Sequence, residues 1–517
     1  MNGAQIVIKT AVSAGIKICF ANPGTTEMPL VEALDSVPGI AAKLGLFEGC
    51  CTGAADGYAR MSGIPALTLL HLGPGLANGI ANLHNAHRAR TPVVNLIGEH
   101  ASWHRSANAP LSMNIESLAS VIPGWQKTST GAETLSRDMA DAISAALAGQ
   151  VATLIIPQDF QWAHCADETI ASPFFSHDPP DEDRMASAIA ALQDKDTRTL
   201  IIIGGKALNK NGLLTAAKMQ YHTGCGLLSD AFPARTELGT GLPALDRIPY
   251  FPEHAKEKLS QYDTIILIGT KPIVSFFGYK DVNCQLLSES QTVIRLDPGL
   301  QDLQQILDSL AERLGASGLD HKNIALSEQY KHMELPGGSL TGGTISKIIA
   351  ALLPKNTIVM EEAVTSGSAY SKIAANAKPH SLMTLTGGAL GQGMPCATGA
   401  ALACPDRPVV CFSGDGAAMY TPQSLWMQAR NKLNITTLIC ANHSYDILKL
   451  EYHRAGYKSP KKNTAALTNL NNPFIDWVSM SRGMGVPAES VTSPEKLIEA
   501  FKKDITIPCL HLVEIVM

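Results

Sequence analysis

The chain has 517 residues, of which 45% are hydrophobic and 17% are charged, and its formal net charge at pH 7 is -5. This composition excludes a disordered chain, and the small net charge argues against nucleic acid or an anionic membrane as a main partner. At about 100–200 residues per domain, the length predicts about three domains.

The N-terminal segment MNGAQIVIKTAVSAGI has neither the basic start nor the long apolar core of a secretory signal. No apolar run reaches the roughly 20 residues that a membrane helix needs. The 11 cysteines are scattered, and none forms a CxxC pair. These features predict a cytoplasmic protein with reduced thiols and no membrane association.

Short apolar runs alternate with amphipathic stretches along the whole chain. Examples are KICFANPG, PALTLLHLG, PVVNLIGEH and ATLIIPQ in the first third, TLIIIGGK, DTIILIGT and QTVIRLD in the middle, and NTIVMEE, RPVVCFSGDG, ITTLICANH and LHLVEIV in the last third. Continuous apolar strands between helical segments predict α/β domains with parallel sheets. Turn-forming composition at 166–184 and 314–340 predicts two linkers. We therefore expect three doubly wound parallel-sheet domains, at 1–165, 185–315 and 340–517.

The first candidate functional residue is Glu48, in the segment LFEGCCTGAADGYAR. It lies beside Phe47, Cys50 and Cys51, and the two cysteines are interpreted as small buried residues. A solvated helix face is the alternative for Glu48, but its apolar neighbours favour burial. Burial would raise the pKa of this carboxyl group and allow it to share a proton with a ring nitrogen.

Polar residues also follow two other strands of the first domain. His71 ends an apolar run and is followed by a glycine-rich turn and Asn78. A satisfied polar residue is the alternative for a lone histidine, but the end of a strand favours a cleft. Glu99 and His100 follow the next run, and they form either a loop hydrogen-bond pair or a pocket wall with a second acid–base pair.

The glycines around Asp415, in VVCFSGDGAAMY, follow a strand and open a helical region. Alone, this tripeptide is a common turn. Asn442 ends the next strand, however, so a carboxylate and an amide oxygen are predicted at neighbouring strand ends. Such oxygens, with phosphates and water, suit Mg²⁺. A second glycine cluster, at 387–393, either allows a helix to pack closely or lines the same site.

The spacing from GDG to Asn442 resembles the thiamine-diphosphate signature, although Ala441-Asn442 replaces the usual Asn-Asn. The pattern E-x4-A-A-D-G-Y-A-R that begins at Glu48 resembles the catalytic-glutamate segment of the same family. The turn at Asn22-Pro23-Gly24 resembles the turn near the pyrimidine ring. The whole chain is therefore similar to the superfamily of acetolactate synthase, benzoylformate decarboxylase and pyruvate decarboxylase.

This resemblance implies roles for individual residues. Glu48 and His71 would be catalytic, the first by activating the aminopyrimidine and the second by assisting proton transfer. Asp415, Asn442 and the carbonyl of Ser444 would bind the metal, and Leu390 would bend the cofactor. The implied cofactor-binding residues are Pro23, Gly24, Thr25, Glu48, Asn78, Val364, Thr365, Gly388, Leu390, Asp415, Gly416, Ala417, Asn442, Ser444, Tyr445 and Ile447.

The chain departs from benzoylformate decarboxylase in the substrate pocket. That enzyme has a second catalytic histidine from its central domain, whereas the matching stretch here carries Phe276 and Phe277. Val364 stands where that enzyme has threonine, and Ile447 where it has alanine. The pocket residues we expect are His100, Phe276, Phe277 and Ile447, which make it bulkier and less polar.

The resemblance implies a decarboxylase or carboligase that uses thiamine diphosphate and Mg²⁺. The ylide would attack a 2-oxo acid, and the enamine would be protonated or would attack an aldehyde or a second 2-oxo acid. The alternatives are a lyase of 2-hydroxyacyl-CoA and a non-catalytic cofactor-binding homologue, against which Glu48 argues. FAD in the central domain is not favoured, because GGK lacks the full dinucleotide fingerprint. A homo-oligomer, dimer or tetramer, is expected because the family builds its site between subunits.

Overall fold

The computed structural model describes residues 1–166, 169–271, 273–320, 324, 326, 333–506 and 508–517. The chain divides into two compact units, the first of Met1–Phe175, Leu335–Ala369 and Leu385–Met517, and the second of Ser176–Glu334 and Tyr370–Thr384. Within the predicted linkers, residues 167–168, 321–323, 325 and 327–332 lie outside the described residues. No helix of the described part is long and apolar enough to cross a membrane.

The first sheet belongs to the first unit, and its paired strands are all parallel. Its strands are β1 (Ile18–Asn22), β2 (Ala41–Leu44), β3 (Ala66–His71), β4 (Val93–Glu99), β5 (Gln126–Thr128) and β6 (Val151–Pro157), in the order β2-β1-β3-β4-β6-β5. Its helices are α1 (Gly3–Ser13), α2 (Met28–Ser36), α3 (Glu48–Ser62), α4 (Leu72–Ala89), α5 (Ile115–Ala119), α6 (Leu135–Leu147) and α7 (Gln158–Trp162), with 3₁₀ turns at Thr25–Glu27, Arg105–Ala107 and Ala132–Thr134. The winding reverses between β1 and β3, which places a ligand crevice at their carboxyl ends.

The second sheet belongs to the second unit and is also parallel. The strands of this unit include β7 (Thr199–Ile203), β8 (Gly226–Ser229), β9 (Arg235–Leu238), β10 (Asp246–Arg247), β11 (Thr264–Ile268) and β12 (Thr292–Arg295), and the sheet order is β10-β8-β7-β11-β12. The helices are α8 (Glu182–Gln193), α9 (Lys210–Thr223), α10 (Pro252–Leu259) and α11 (Leu303–Arg313), with a 3₁₀ turn at Gly205–Leu208. Asp181, Asn209 and Asp302 begin three of these helices because their side chains accept backbone N–H bonds at the caps.

The last third of the chain contains β13 (Ile358–Glu362), β14 (His380–Thr384), β15 (Val409–Gly414), β16 (Ile435–Ala441), β17 (Ala488–Val491) and β18 (Leu510–Val516), and all of these except β14 form the third sheet, in the first unit. Its helices are α12 (Gly342–Leu352), α13 (Tyr370–Ala374), α14 (Gly393–Ala403), α15 (Asp415–Ala418), α16 (Ser424–Arg430), α17 (Asp446–Arg454), α18 (Lys462–Thr468), α19 (Trp477–Gly483) and α20 (Pro494–Thr506). In the first unit the strand order is β17-β18-β16-β15-β13, with parallel pairing. In the second unit β14 pairs antiparallel with β9.

Helices α3 and α14 pack backbone to backbone inside the first unit. An added Cβ at Gly57 would overlap the carbonyl group of Cys396, and one at Gly399 would overlap the carbonyl group of Ala54. Small residues on both helices make this approach possible. As a result, the helix that begins at Glu48 is fixed against the layer that carries the third sheet.

The structure confirms the predicted fold class of three α/β domains with parallel sheets. Every apolar run that predicted a strand forms one, as β1, β3, β4, β6, β7, β11, β12, β13, β15, β16 and β18. All of these strands except β12 are buried along most of their length, which explains why they are continuously apolar.

Candidate active site

Glu27 and His71 form a hydrogen-bonded pair beyond the carboxyl ends of β1 and β3. Glu27 is fully buried, and its Oε2 lies 2.7 Å from Nδ1 of His71. The Glu27 carboxylate also accepts from the hydroxyl of Thr26 at 2.6 Å and from the backbone N–H of Gly24 at 2.7 Å. An added Cβ would overlap His71 at Gly24 and Glu27 at Gly98, so both glycines make room for the pair. The hydrogen bond from Glu27 raises the pKa of His71 above its ordinary value.

Glu48 is the first residue of α3 and is only 7% exposed. Asn78, on α4, donates from Nδ2 to Oε2 of Glu48 at 2.9 Å. The other carboxylate oxygen lies beside Gly75, where an added Cβ would be 3.4 Å from Oε1. Cys50 and Cys51 are fully buried, and burial raises the pKa of the Cys50 thiol to about 12. The predicted buried carboxyl group in an apolar setting is therefore present, and one of its oxygens is already oriented by an amide.

Glu99 and His100 lie at the end of β4. Glu99 is buried, and its Oε1 accepts the backbone N–H of His100 at 2.7 Å. Its Oε2 lies 3.7 Å from Nε of Arg105, and burial raises the pKa of Glu99. The imidazole of His100 packs edge-on against His104, with 5.2 Å between the ring centroids. The loop hydrogen bond that the sequence left as one alternative is present, and it uses the backbone of His100 rather than its ring.

Asp415, Asn442 and Ser444 come together at the carboxyl ends of β15 and β16. Asp415 is 2% exposed, and its carboxylate accepts backbone N–H bonds from Gly416 and from His443, each at 2.8 Å. The side-chain oxygen of Asn442 accepts the backbone N–H of Ser444 at 3.1 Å. Burial outweighs the two hydrogen bonds and raises the pKa of Asp415. The arrangement is a buried carboxylate beside neutral oxygens, on adjacent strands.

The remaining predicted cofactor-binding residues all belong to the first unit. Pro23 and Thr25 flank Gly24, Val364 and Thr365 follow β13, Gly388 and Leu390 precede α14, Gly416 and Ala417 lie in α15, and Tyr445 and Ile447 lie at the start of α17. The ring of Tyr445 packs against Gly416. A Cβ added at Gly416 would lie 2.5 Å from the nearest atom of that ring. The close packing explains why the GDG turn has glycine at this position.

Three of the eight non-glycine residues with left-handed backbone in the described part of the chain lie at these strand ends. Leu72, Val364 and His443 have φ values of 53°, 48° and 54°, which side chains rarely adopt and a β-branched residue adopts least. Leu72 follows His71, Val364 follows β13, and His443 separates Asn442 from Ser444. Strained residues of this kind cluster at functional sites. Strained backbone is therefore present at both predicted edges, although it also occurs elsewhere in the described chain.

Phe276 and Phe277 lie in the second unit, in the segment that follows β11. They are 42% and 52% exposed, and their ring centroids are 4.9 Å apart. The rings of Phe232 and Tyr250 each lie 5.5 Å from Phe276. The two phenylalanines that the sequence assigned to the pocket thus form part of an exposed aromatic cluster.

Three residues with defined contacts at these edges received no role from the sequence: Glu27, Asn85 and Glu362. Glu27 lies in the NPGTTE turn after β1, and its position at a strand end was the available signal. Glu362 ends β13, is 1% exposed, and burial raises its pKa to about 7. Asn85 is fully buried on α4 and contacts the loop before α14.

Two models of a known protein family match the segments of the chain that carry the two sheet edges. Residues 1–118 match the family model of the N-terminal thiamine pyrophosphate binding domain, and residues 365–515 match that of the C-terminal domain. The two edges are therefore those of a thiamine-diphosphate-dependent enzyme that acts on carbon–carbon bonds.

The chain belongs to the thiamine pyrophosphate enzyme family, in the superfamily of acetolactate synthases and benzoylformate decarboxylases. It is 40% identical to a Mycobacterium tuberculosis protein described as an acetolactate synthase large subunit, IlvX, across 100% of this chain and 99% of that protein. It is 25% identical to benzoylformate decarboxylase of Pseudomonas aeruginosa, across 97% of this chain and 96% of the other. The fold matches 4-hydroxybenzoylformate decarboxylase of Rhodococcus jostii RHA1 with a TM-score of 0.86 at 22% identity, across 100% of this chain and 99% of that one.

Proposed function

We propose that the enzyme cleaves the carbon–carbon bond beside the carbonyl group of a 2-oxo acid, with Mg²⁺ as the metal, and then releases or transfers the remaining fragment. When bound, thiamine diphosphate supplies an electron sink for the bond that breaks. The observation that carries the proposal is Glu48, a buried carboxyl group whose second oxygen is held by Asn78.

The proton steps are assigned to the first sheet edge. Glu48 would hold and release a proton at Oε1 toward the pyrimidine ring, because Asn78 occupies Oε2 and Gly75 leaves space beside Oε1. His71 is the second acid–base group. Its Nδ1 is held by Glu27, so Nε2 is the nitrogen that exchanges a proton with the substrate.

The metal is assigned to the third sheet edge. The oxygen set of Asp415, Asn442 and the Ser444 carbonyl suits Mg²⁺, which takes few protein ligands and completes its shell with phosphate and water. The raised pKa of Asp415 supports this assignment, since a cation would compensate the burial of its charge. The start of α15 offers backbone N–H groups to the diphosphate.

The substrate class is a 2-oxo acid with an apolar side chain. The names of the relatives refer to benzoylformate, 4-hydroxybenzoylformate and acetolactate. We assign Ile447 to the pocket as an apolar residue and His100 as a polar one, and Phe276 and Phe277 of the second unit stay predictions from the sequence. We also propose that a homo-oligomer completes the site.

The test supplies purified protein with thiamine diphosphate and MgCl₂ and offers a panel of 2-oxo acids, each alone and with an aldehyde or a second 2-oxo acid. Carbon dioxide with an aldehyde product identifies protonation of the bound fragment, and carbon dioxide with a hydroxyketone identifies carboligation. Failure to release carbon dioxide from any 2-oxo acid, in protein that binds the cofactor, would refute the proposed reaction.

The Glu48→Gln variant tests the catalytic assignment. We expect exchange of the thiazolium C2 proton for deuterium to slow by about 10²–10⁴-fold, the usual contribution of a general acid–base group, while the cofactor still binds. Glu182→Gln is the matched control, because Glu182 is also the first residue of a helix but is exposed. Unchanged exchange in Glu48→Gln would remove Glu48 from the mechanism.

A further inference from the structure

The loop of residues 386–392, called here the Leu390 loop, connects β14 to α14. It contains two glycines with left-handed backbone, Gly388 at φ 78° and Gly391 at φ 92°. Such a loop has no regular backbone hydrogen bonding of its own, so its shape depends on partners from other segments. Leu390 itself is half-buried.

Asn85 binds one side of the Leu390 loop. Its Oδ1 accepts the backbone N–H groups of Gly387 at 3.1 Å and Ala389 at 3.3 Å, and its Nδ2 donates to the carbonyl of Ala389 at 2.8 Å. Nδ2 also donates to Oδ1 of Asn82 at 2.9 Å. Asn85 is fully buried and all its polar capacity is used, so water cannot replace these bonds.

Glu362 binds the other side of the same loop. Its Oε1 accepts the backbone N–H groups of Gly391 and Gln392, each at 2.8 Å, and its Oε2 accepts that of Gly393 at 2.9 Å. These groups form the N-terminal end of α14, where a carboxylate is favoured by the helix dipole. Gly393 has to be glycine here, because an added Cβ would be 2.7 Å from Oε2.

The two contacts enclose Leu390. Both backbone groups of Ala389 are bonded to Asn85, and the backbone N–H of Gly391 is bonded to Glu362. The carbonyl of Gly391 accepts from Thr421 at 2.9 Å. The peptide groups on both sides of Leu390 are therefore fixed by buried side chains, and the direction of the Leu390 side chain follows from them.

We infer that Asn85 and Glu362 are positioning residues that act through Leu390. They fix the backbone on both sides of Leu390, so that its side chain is in position to bend the bound cofactor. The inference rests on the proposed function and on the cofactor-bending role that the family resemblance implies for Leu390. It predicts that removing Asn85 impairs the chemical step far more than it impairs binding of the cofactor, whose diphosphate is held elsewhere. A displacement of about 1 Å at a reacting centre can slow a reaction by about 10²-fold.

The first measurement uses the protein without cofactor. Backbone amide hydrogen exchange in residues 386–393 is expected to rise by at least about tenfold in Asn85→Ala, because the loop loses its partner. The matched control is Asn95→Ala, since Asn95 is equally buried but bonds to Thr68 and Thr153 instead. Equal exchange of these amides in the two variants would overturn the inference, whatever the function of the enzyme.

The second measurement is a double-mutant cycle with Leu390→Ala, which follows deuterium exchange at thiazolium C2 in the loaded enzyme. If Asn85 acts through Leu390, the double variant exchanges about as slowly as Leu390→Ala alone, because the same effect cannot be lost twice. Independent, multiplied slowing would overturn the inference. Wild-type protein that fails to bind the cofactor would instead refute the proposed function, and the two failures are thereby distinguished.

Glu362→Gln provides the conservative variant in case Asn85→Ala does not fold. The amide oxygen can still accept from Gly391, but the amide nitrogen faces the N–H of Gly393 and cannot accept from it. We expect a smaller slowing of C2 exchange than in Leu390→Ala, with cofactor affinity within about threefold of the wild type. Wild-type exchange in this variant, together with unchanged amide protection of the Leu390 loop, would contradict the role of Glu362.

Discussion

At the edge of the first sheet, two of the buried acids, Glu27 and Glu48, are paired with side chains. Glu27 contacts the imidazole of His71, and Glu48 accepts from the amide of Asn78. An imidazole can gain or lose a proton, and a side-chain partner can be changed by one substitution. This edge is therefore suited to proton transfer, and the raised pKa of His71 depends mainly on one partner, Glu27.

At the edge of the third sheet, the buried acids are held mainly by the backbone. Asp415 accepts N–H groups from two residues, and Glu362 accepts N–H groups from three. Backbone donors cannot titrate and move little, so they fix a carboxylate in place. The comparison supports the proposal that the first edge transfers protons and the third edge fixes charge and position.

The largest expected effect comes from removing the anchoring acid. Asp415→Ala should weaken binding of thiamine diphosphate with Mg²⁺ by more than about 100-fold, because changes in the second shell of a metal site already cost about 10–100-fold. Glu48→Gln should stay within a few-fold of the wild type in the same calorimetric titration. The two variants thus distinguish a residue that is needed to bind the cofactor from one that is needed only for the proton transfer.

Asp406→Asn is the control for this titration, since Asp406 is exposed and precedes β15. It should bind the cofactor as the wild type does. If Asp415→Ala also binds the cofactor with wild-type affinity, the third sheet edge does not bind the metal. The proposed difference in role between the two sheet edges would then be wrong.

The next prediction concerns His71, whose pKa is raised by its hydrogen bond to Glu27. Glu27→Gln should lower the pKa of His71, because the charged hydrogen bond that raises it is lost. Activity near pH 7 should fall by about 10-fold or more, and its basic limb should move to lower pH. The imidazole titration of His71, assigned by its absence in His71→Ala, measures the shift directly, and an unchanged titration would contradict the pairing.

The sign of the stability effect follows from the same pair. A histidine with a raised folded pKa stabilises the protein fully below its unfolded pKa of about 6.5, and this contribution is lost as the pH rises through the folded pKa. The free energy of unfolding of the wild type should therefore decrease as the pH rises through the folded pKa of His71. This decrease should be absent in Glu27→Gln. His177→Gln, at an exposed histidine of the second unit, should leave that loss in place.

Most strands that the sequence predicted are apolar and buried, although β12, TVIR, has four residues and none buried, and most strands that it did not predict are short. Strand β2, AAKL, has no buried residue, and β8, GLLS, has only four residues, so neither produces a clear pattern. Strand β14, HSLMT, is fully buried but carries polar residues whose partners come from elsewhere, such as the contact of Ser381 with Glu237. Long-range pairing supplied the information that the local sequence lacked.

The same limit explains which site contacts were predicted. Glu48, His71, Asp415 and Asn442 stand at the ends of apolar runs or in a recognisable motif, and the structure places them at the two edges. The contacts of Glu362 could not be predicted, because its donors lie at residues 391–393 and are backbone groups, which any sequence offers. A glutamate that ends a strand has the same local pattern whether it is buried or solvated.

The smallest expected effect tests the strain at the third sheet edge. Val364 has a φ of 48° and is 36% exposed, so glycine should fit its backbone without losing a large buried surface. Relief of about 1–3 kcal/mol of strain, less about 0.5–1 kcal/mol for the entropy of glycine in the unfolded chain, should stabilise Val364→Gly by about 1 kcal/mol. Chemical denaturation without cofactor measures this gain. Val121→Gly, at an exposed valine outside the left-handed region, should instead lose stability, and a similar loss in Val364→Gly would show that the third edge stores no strain at this residue.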